Sequence, residues 1–318
     1  MKGAESQSDG FESQSDGFES QSVGAESQSV GAESQSVGAE SQSDGFESQS
    51  DGFESTTMRI TILGCGTSMG VPQLGCRCAV CTSSDPRNHR TRPSVHIQRG
   101  ETQILIDAPP ELRLQLLRTD LDQHLDAVLI THTHADHIMG LDDIRGFTIY
   151  TGRTVPVYAE PSALDDLKRV FRYIFFPYPP GVSTPQIEFR ELTGALQIGA
   201  FTIEPLRVFH GEMPILAFRI GDFAYVTDVS YIPPDTWKRL QGLKLLILDA
   251  LRREPHPTHF HFDKAVEVAL QLKAERTLFT HLTHDLDYEA TNAALPSSIQ
   301  LAYDGQVVEV DSSTPNMP

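Results

Sequence analysis

The chain has 318 residues, a formal net charge of −18 at pH 7 and four cysteines. It contains no apolar run of about 18 residues and no secretory leader pattern, so we expect no membrane span and a cytoplasmic location. Twelve acidic residues and one lysine lie in residues 1–57, which leaves a net charge of −7 on the rest of the chain. That mild charge makes extended nucleic acid an unlikely partner.

Residues 5–53 repeat a seven-residue unit, Glu-Ser-Gln-Ser-Asp-Gly-Phe or Glu-Ser-Gln-Ser-Val-Gly-Ala. Each unit contains glycine and too few apolar positions for a coiled-coil seam. We therefore predict a disordered repeat tail over residues 1–57. One catalytic domain is predicted over residues 58–311, followed by a flexible C-terminus, residues 312–318.

Hydrophobic patterning beyond residue 57 predicts runs of strands separated by helices. Strands are predicted at residues 58–63, 94–99, 103–107, 126–130, 155–158, 201–209, 215–220, 223–227, 243–248 and 276–280. Helices are predicted at residues 110–117, 163–175 and 263–274. This order favours two facing β-sheets with helices outside, a layered α/β fold. Side chains that follow strand ends are then expected to cluster at one edge.

Four potential metal ligands follow the predicted strand 126–130 within one short loop. They are His132, His134, Asp136 and His137. The first two are two residues apart, so at an extended strand end their side chains point the same way. The last two lie where the chain turns toward a helix and can reach a second point. The loop therefore offers ligands to two neighbouring metal ions. The alternative is a surface loop of hydrated histidines.

Three more ligand-type residues follow later strands: His210, Asp228 and His281. Singly, such residues are more often hydrogen-bonded or turn-capping groups. Together with the first four they complete an inventory for two metals that share a carboxylate. Asp107 and Asp249 also lie at strand ends, and we expect them to orient the ligands.

The His-x-His-x-Asp-His pattern of residues 132–137 resembles that of the metallo-β-lactamase superfamily, and the resemblance covers residues 58–311. It implies the four-layer αββα sandwich of that superfamily. It also implies two ligand sets and one bridging carboxylate. These are His132, His134 and His210 for one metal, Asp136, His137 and His281 for the other, and Asp228 as the bridge. Such ligands suit zinc and manganese alike, and the motif does not specify the substrate.

Three cysteines, Cys76, Cys78 and Cys81, follow a glycine-rich loop. Their spacing resembles that of the phosphoribosyl cyclic phosphodiesterase family of phosphonate breakdown and its close relatives. The resemblance implies that the three thiolates and His284 hold a separate structural zinc in a closed tetrahedral set. Free, reduced thiols are the alternative. Cys65 is left over and is expected to be a small buried residue.

The resemblance implies a dinuclear metal-dependent hydrolase of phosphodiesters, a phosphoric diester hydrolase acting on small cyclic or nucleotide-like diesters. In such enzymes a histidine at the position of His259 helps to protonate the leaving group. His261 departs from the usual pattern and leaves that assignment open. Asp136 is expected to hold the attacking water in addition to its metal role. Arg145 could meet an anionic substrate or form a solvated ion pair.

The alternative functions are a tRNA 3′-processing endoribonuclease, and a thioesterase or lactonase of the same fold. The charge of the domain and the lack of an insertion for gripping tRNA disfavour the first. Thioesterases and lactonases of this fold usually lack the cysteine cluster. A metal-binding scaffold without turnover is disfavoured because every ligand position is filled. A homodimer is plausible by the resemblance alone.

Overall fold

The computed structural model describes residues 57–121, 123–179 and 181–311. The predicted repeat tail lies outside these residues except for Thr57, which begins the first strand, and so does the predicted flexible C-terminus. Among the described residues, none of the helices combines the length and apolar content needed to cross a lipid bilayer.

Two mixed β-sheets, each of seven strands within the described residues, form the centre of the domain. In spatial order the first contains β14 (Val307–Asp311), β1 (Thr57–Gly64), β2 (Ser94–Arg99), β3 (Thr102–Ile106), β4 (Ala127–Leu129), β5 (Val155–Ala159) and β6 (Ile187–Glu191). The second contains β13 (Ile299–Leu301), β12 (Arg276–Thr280), β11 (Leu245–Asp249), β10 (Phe223–Val226), β9 (Met213–Ile220), β8 (Phe201–His210) and β7 (Leu196–Ile198).

The helices are short and lie in the connections between strands. They are α1 (Leu112–Arg118), α2 (Ala135–Ile138), α3 (Arg145–Thr151), α4 (Pro161–Val170), α5 (Pro234–Arg239), α6 (Phe262–Leu272) and α7 (Tyr288–Asn292). The part of the chain that the structure describes also has three 3₁₀ turns, at Pro86–Asn88, Leu141–Ile144 and Arg172–Phe175.

Successive side chains along a strand point to opposite faces of the sheet, and both faces are covered by apolar layers. In β3, Ile104 and Ile106 enter the core between the two sheets, whereas Leu105 points into a second core beneath the outer helices. That second core includes Leu112 of α1 and Leu164 of α4. On the other side, the apolar face of α6 packs onto the second sheet. The result is helix, sheet, sheet, helix, which confirms the predicted αββα sandwich.

Strand direction determines where the site lies. Strands β3 to β6 are parallel, and so are β10 to β13. The carboxyl ends of parallel strands meet at one edge of a sheet, so the loops that leave β4, β10 and β12 can converge there.

The predicted strands and helices are present with boundary shifts of a few residues, with one correction and seven omissions. The helix predicted over 163–175 ends at Val170, because Phe171 leaves the helical conformation, with φ −99° and ψ 26°, and is buried beneath the first sheet. The omissions are four strands and three helices: β6, β7, β13, β14, α3, α5 and α7.

Candidate metal centre

Seven ligand-type side chains converge at the edge where the strands of both sheets end. Four of them lie in the loop after β4, and His210 is the last residue of β8. Asp228 follows the end of β10, and His281 follows the end of β12. All seven predicted catalytic ligands are therefore brought together by the fold. They form two groups, and within each the candidate ligand atoms lie within 4.8 Å of one another. The groups are His132, His134, His210 and Asp228, and Asp136, His137, Asp228 and His281.

Asp228 belongs to both groups and lies between them. Its Oδ1 is 3.3 Å from His137 Nε2, and its Oδ2 is 3.4 Å from His281 Nε2 and 3.8 Å from His132 Nε2. Asp136 Oδ2 completes the second group at 3.4 Å from His281 Nε2. One carboxylate thus faces imidazoles on both sides, which is the arrangement of a bridging ligand.

The backbone is held in an unfavourable conformation at this edge. Asp107, Asp228 and His281 have φ values of 62°, 54° and 60°, three of the five positive values at non-glycine residues in the described chain. Such left-handed conformations cost on the order of 1 kcal/mol each and persist only where the surrounding structure imposes them. Their concentration here indicates that the strand ends are shaped to aim side chains.

Hydrogen bonds behind the ligands set the tautomers of three histidines. His137 Nδ1 donates to Asp107 Oδ2 at 2.7 Å, and His210 Nδ1 donates to the carbonyl oxygen of Thr258 at 2.8 Å. His132 Nδ1 donates to the hydroxyl of Thr131 at 3.0 Å, and that hydroxyl donates onward to Asp107. Each Nε2 then presents its lone pair to the centre of the site. The parts played by Thr131 and by the Thr258 carbonyl were not expected from the sequence.

Buried polar atoms at the centre fit a divalent cation. His137 Nε2 is fully buried and makes no hydrogen bond. Burial opposes protonation of His137, but the carboxylates of Asp228 and Asp107 outweigh it and raise the pKa of the imidazole well above its usual value. Burial likewise opposes ionisation of Asp136, but His137 and His281 hold the pKa of that carboxyl far below its usual value. The site therefore attracts positive charge, and imidazole and carboxylate donors suit zinc or manganese.

A second cluster joins the cysteine loop to the turn after β12. Within it, His284 Nδ1 lies 3.2 Å from Cys76 Sγ, 3.3 Å from Cys78 Sγ and 3.4 Å from Cys81 Sγ. Hydrogen bonds, chiefly from the backbone of Cys81, lower the pKa of the Cys78 thiol to about 6. Three sulfurs around one imidazole nitrogen fit a closed tetrahedral zinc site. Cys65 lies apart from them, buried, with its thiol donating to the carbonyl of Ala302 at 3.3 Å.

The two histidines that the sequence left open have different surroundings. His259 is buried, and its ring centroid lies 4.5 Å from that of His210 and 4.8 Å from that of His281. Its Nδ1 donates to Asp249 Oδ2 at 2.9 Å. Burial, followed by the charge of His281, lowers the pKa of His259 to about 4. His261 is half-buried at the start of α6. The fold thus brings His259, and not His261, against the candidate ligands.

The sequence allowed Arg145 either to contact an anionic substrate or to form an ion pair, and the structure shows the ion pair. Its guanidinium pairs with Asp142 and donates to the carbonyl of Ser183 at 3.2 Å.

Comparison with known proteins gives a family and several relatives. Residues 102–282 match the family model described as "Beta-lactamase superfamily domain". The chain is similar to a solved structure of a new diphosphatase from the PhnP family, with 46% identity and a TM-score of 0.75, over 80% of this chain and 97% of that one. It is also similar to Zn²⁺-bound PqqB from Methylobacterium extorquens, with 20% identity and a TM-score of 0.64, over 79% of this chain and 100% of that one, a likeness of fold alone.

Among curated proteins, the octanoyltransferase of Porphyromonas gingivalis is 39% identical over 261 residues, which are 80% of this chain. The match spans only 52% of that relative, so this chain corresponds to about half of its length.

Proposed function

Because this chain belongs to the β-lactamase superfamily, and to the PhnP family within it, we propose that it is a dinuclear metal-dependent hydrolase of small phosphoric diesters. The observation that carries the proposal is the position of Asp228 between two ligand groups at the strand edge. The two ligand groups would hold two divalent cations, which would supply Lewis-acid stabilisation of a phosphoryl group and lower the pKa of a water molecule. The Cys76, Cys78, Cys81 and His284 cluster would hold a third ion, a structural zinc, away from the chemistry.

The residues around the two groups have separate tasks in this proposal. Asp136 Oδ2, turned toward His281, can also accept a hydrogen bond from an attacking water. His259 is the proton donor. Because its Nδ1–H is tied to Asp249, Nε2 is the nitrogen that can hand a proton to the departing oxygen. A bound diester anion beside His259 favours the imidazolium and so opposes the effect of burial on its pKa.

The chemistry of the diphosphatase relative extends the substrate class. Each phosphorus of a diphosphate diester carries one negative charge and two bridging oxygens, as in a simple diester. We therefore include diphosphate linkages among the proposed substrates, together with cyclic and nucleotide-like diesters. The mild charge of the domain agrees with small substrates.

Acyl hydrolysis is the second candidate, and the relative named octanoyltransferase favours it. An ester or thioester carbonyl can also be attacked by an activated water at such a centre. That relative extends well beyond the part that this chain matches, so the acyl transfer for which it is named need not involve this half.

A substrate panel separates the two candidates. Metal-loaded protein is assayed on bis-p-nitrophenyl phosphate, a dinucleoside diphosphate, an octanoyl thioester and a lactone, with Asp228→Ala as the site variant and Asp235→Ala, an exposed residue of α5, as its matched control. We expect the phosphorus substrates to give the highest kcat/KM and Asp228→Ala to abolish their turnover. A higher kcat/KM on the thioester, lost in the same variant, would replace the phosphodiesterase proposal with acyl hydrolysis.

A further inference from the structure

Exposed methionines are concentrated around the candidate centre. The described chain contains four methionines, of which Met58 is fully buried. The side chains of Met69, Met139 and Met213 are 57%, 46% and 37% exposed. Each lies on a segment that adjoins a candidate metal ligand. Methionine is a flexible, polarisable apolar residue, often used where a surface must adapt to a bound group.

Met213 faces the site through strand pairing. It is the direct cross-strand partner of His210 in the β8–β9 hairpin. Directly opposed residues of an antiparallel pair project from the same face, with Cβ atoms roughly 5 Å apart. The side chains of Met213 and His210 therefore leave the hairpin on the same face.

Met139 and Met69 belong to neighbouring segments on the other side of the site. Met139 follows Asp136 by three residues at the end of α2, so the two share one face of the helix. Met69 lies in the loop whose Thr67 backbone N–H donates to the carbonyl of Leu282, the residue after His281.

Arg92 and Glu111 connect these two segments. Arg92 donates to the carbonyl of Ser68 at 3.1 Å and pairs with Glu111, which precedes α1. The segment before α1 contacts the end of α2, where Gly140 N donates to the carbonyl of Ala108 at 2.8 Å. The Arg92 guanidinium, which binds the carbonyl of the residue before Met69, is thus already paired with a carboxylate.

We propose that Met69, Met139 and Met213 form an apolar rim that binds an alkyl or aromatic ester group of the substrate. The inference rests on the proposed function and specifies its substrate class as diesters with one apolar ester group. Contact with methionine removes apolar surface of that group from water, and each fully buried methylene raises the affinity of the transition state roughly fourfold. His134 is the exposed ligand of the first group, so the site is open to solvent at that ligand.

The test uses a series of alkyl p-nitrophenyl phosphates with methyl, propyl, butyl and hexyl groups. In this series the leaving group is constant, so the ratio of kcat/KM between hexyl and methyl esters reports contact with the alkyl group. For the wild-type protein we expect a ratio of at least about 10, since several methylenes each contribute up to fourfold. The variant Met69→Gln/Met139→Gln/Met213→Gln keeps the side-chain length and should bring the ratio close to one.

The control is Leu270→Gln, which alters an apolar residue that is similarly exposed, at 49%. Leu270 lies eight residues after Phe262, the first residue of α6, which is roughly 12 Å along the helix. It should leave the ratio at the wild-type value. Three single Met→Gln variants replace the triple variant if that protein fails to fold. A wild-type ratio near one, or a ratio that stays high in the Met→Gln variants, would refute the methionine rim. Either result would leave the proposed hydrolase function unaffected. If no diester is turned over, the rim falls together with the proposed function.

Discussion

The replacement of His259 by alanine gives the sharpest prediction about mechanism. The imidazole is buried, its Nδ1–H is held by Asp249 at 2.9 Å, and its ring packs within 5 Å of the rings of two candidate ligands, His210 and His281. Alanine removes the proton donor but none of the seven atoms assigned to metal binding. The loss should therefore depend on whether the leaving oxygen needs a proton.

A sugar alkoxide is a poor leaving group that must be protonated, whereas p-nitrophenolate departs without a proton. A positioned general acid contributes about 10²–10⁴-fold to such a step. His259→Ala should thus lose about 10²–10⁴-fold in kcat on a nucleoside or ribosyl diester, and much less on bis-p-nitrophenyl phosphate. Steady-state kinetics on the two substrates, with metal content measured on the same samples, give both numbers.

His261→Ala is the matched control, because this histidine lies two residues away, half-buried at the start of α6. We expect a mild effect on both substrates. Equal losses on both leaving groups in His259→Ala would show that the residue positions substrate or metal. A selective loss in His261→Ala would transfer the proton-donor role to that residue.

Three further predictions concern the hydrogen bonds behind the metal ligands, the cysteine cluster and the N-terminal repeat tail. Asp107→Ala removes the acceptor of His137 Nδ1, so the affinity for the catalytic metals should fall about 10–100-fold in a chelator competition; an unchanged affinity would contradict the orienting role. Cys78→Ser breaks the closed four-ligand set, so elemental analysis should find one zinc fewer per chain, with a lower Tm and the catalytic pair largely kept; an unchanged zinc content would remove the structural site. Residues 57–311 contain every candidate ligand, so a protein that lacks residues 1–56 should fold and turn over diesters as the full chain does; insolubility or inactivity would refute this.

Much of the fold could be predicted because local pattern and tertiary environment agree. Ile104, Leu105 and Ile106 show why: alternation along a strand is set by the pleat, and both faces of the first sheet are covered by apolar layers. The strands that were missed are three to five residues long, and β7 and β13 have only three. Three residues give no usable periodicity, so the pairing partner determines the conformation of β7 and β13. β14 does alternate, with Val308 and Val310 buried, so its pattern was readable from the sequence.

Some features of the site can be predicted from residue types and spacing, and others depend on tertiary packing. His132, His134, Asp136 and His137 were visible as ligand types at short spacing. The choice between His259 and His261 was not, because both lie in one loop, and Asp249, the acceptor for His259, lies ten residues earlier. The Thr258 carbonyl that holds His210 carries no side-chain signal at all.

The central claim is that two cations held on either side of Asp228 are both required for diester hydrolysis. The direct measurement is a metal titration of protein whose catalytic sites have been emptied by mild chelation, with hydrolysis of bis-p-nitrophenyl phosphate followed at each addition of zinc or manganese. The two ligand groups predict no turnover before addition and a plateau at two equivalents per chain. A plateau at one equivalent, or full activity in the emptied protein, would contradict the dinuclear account.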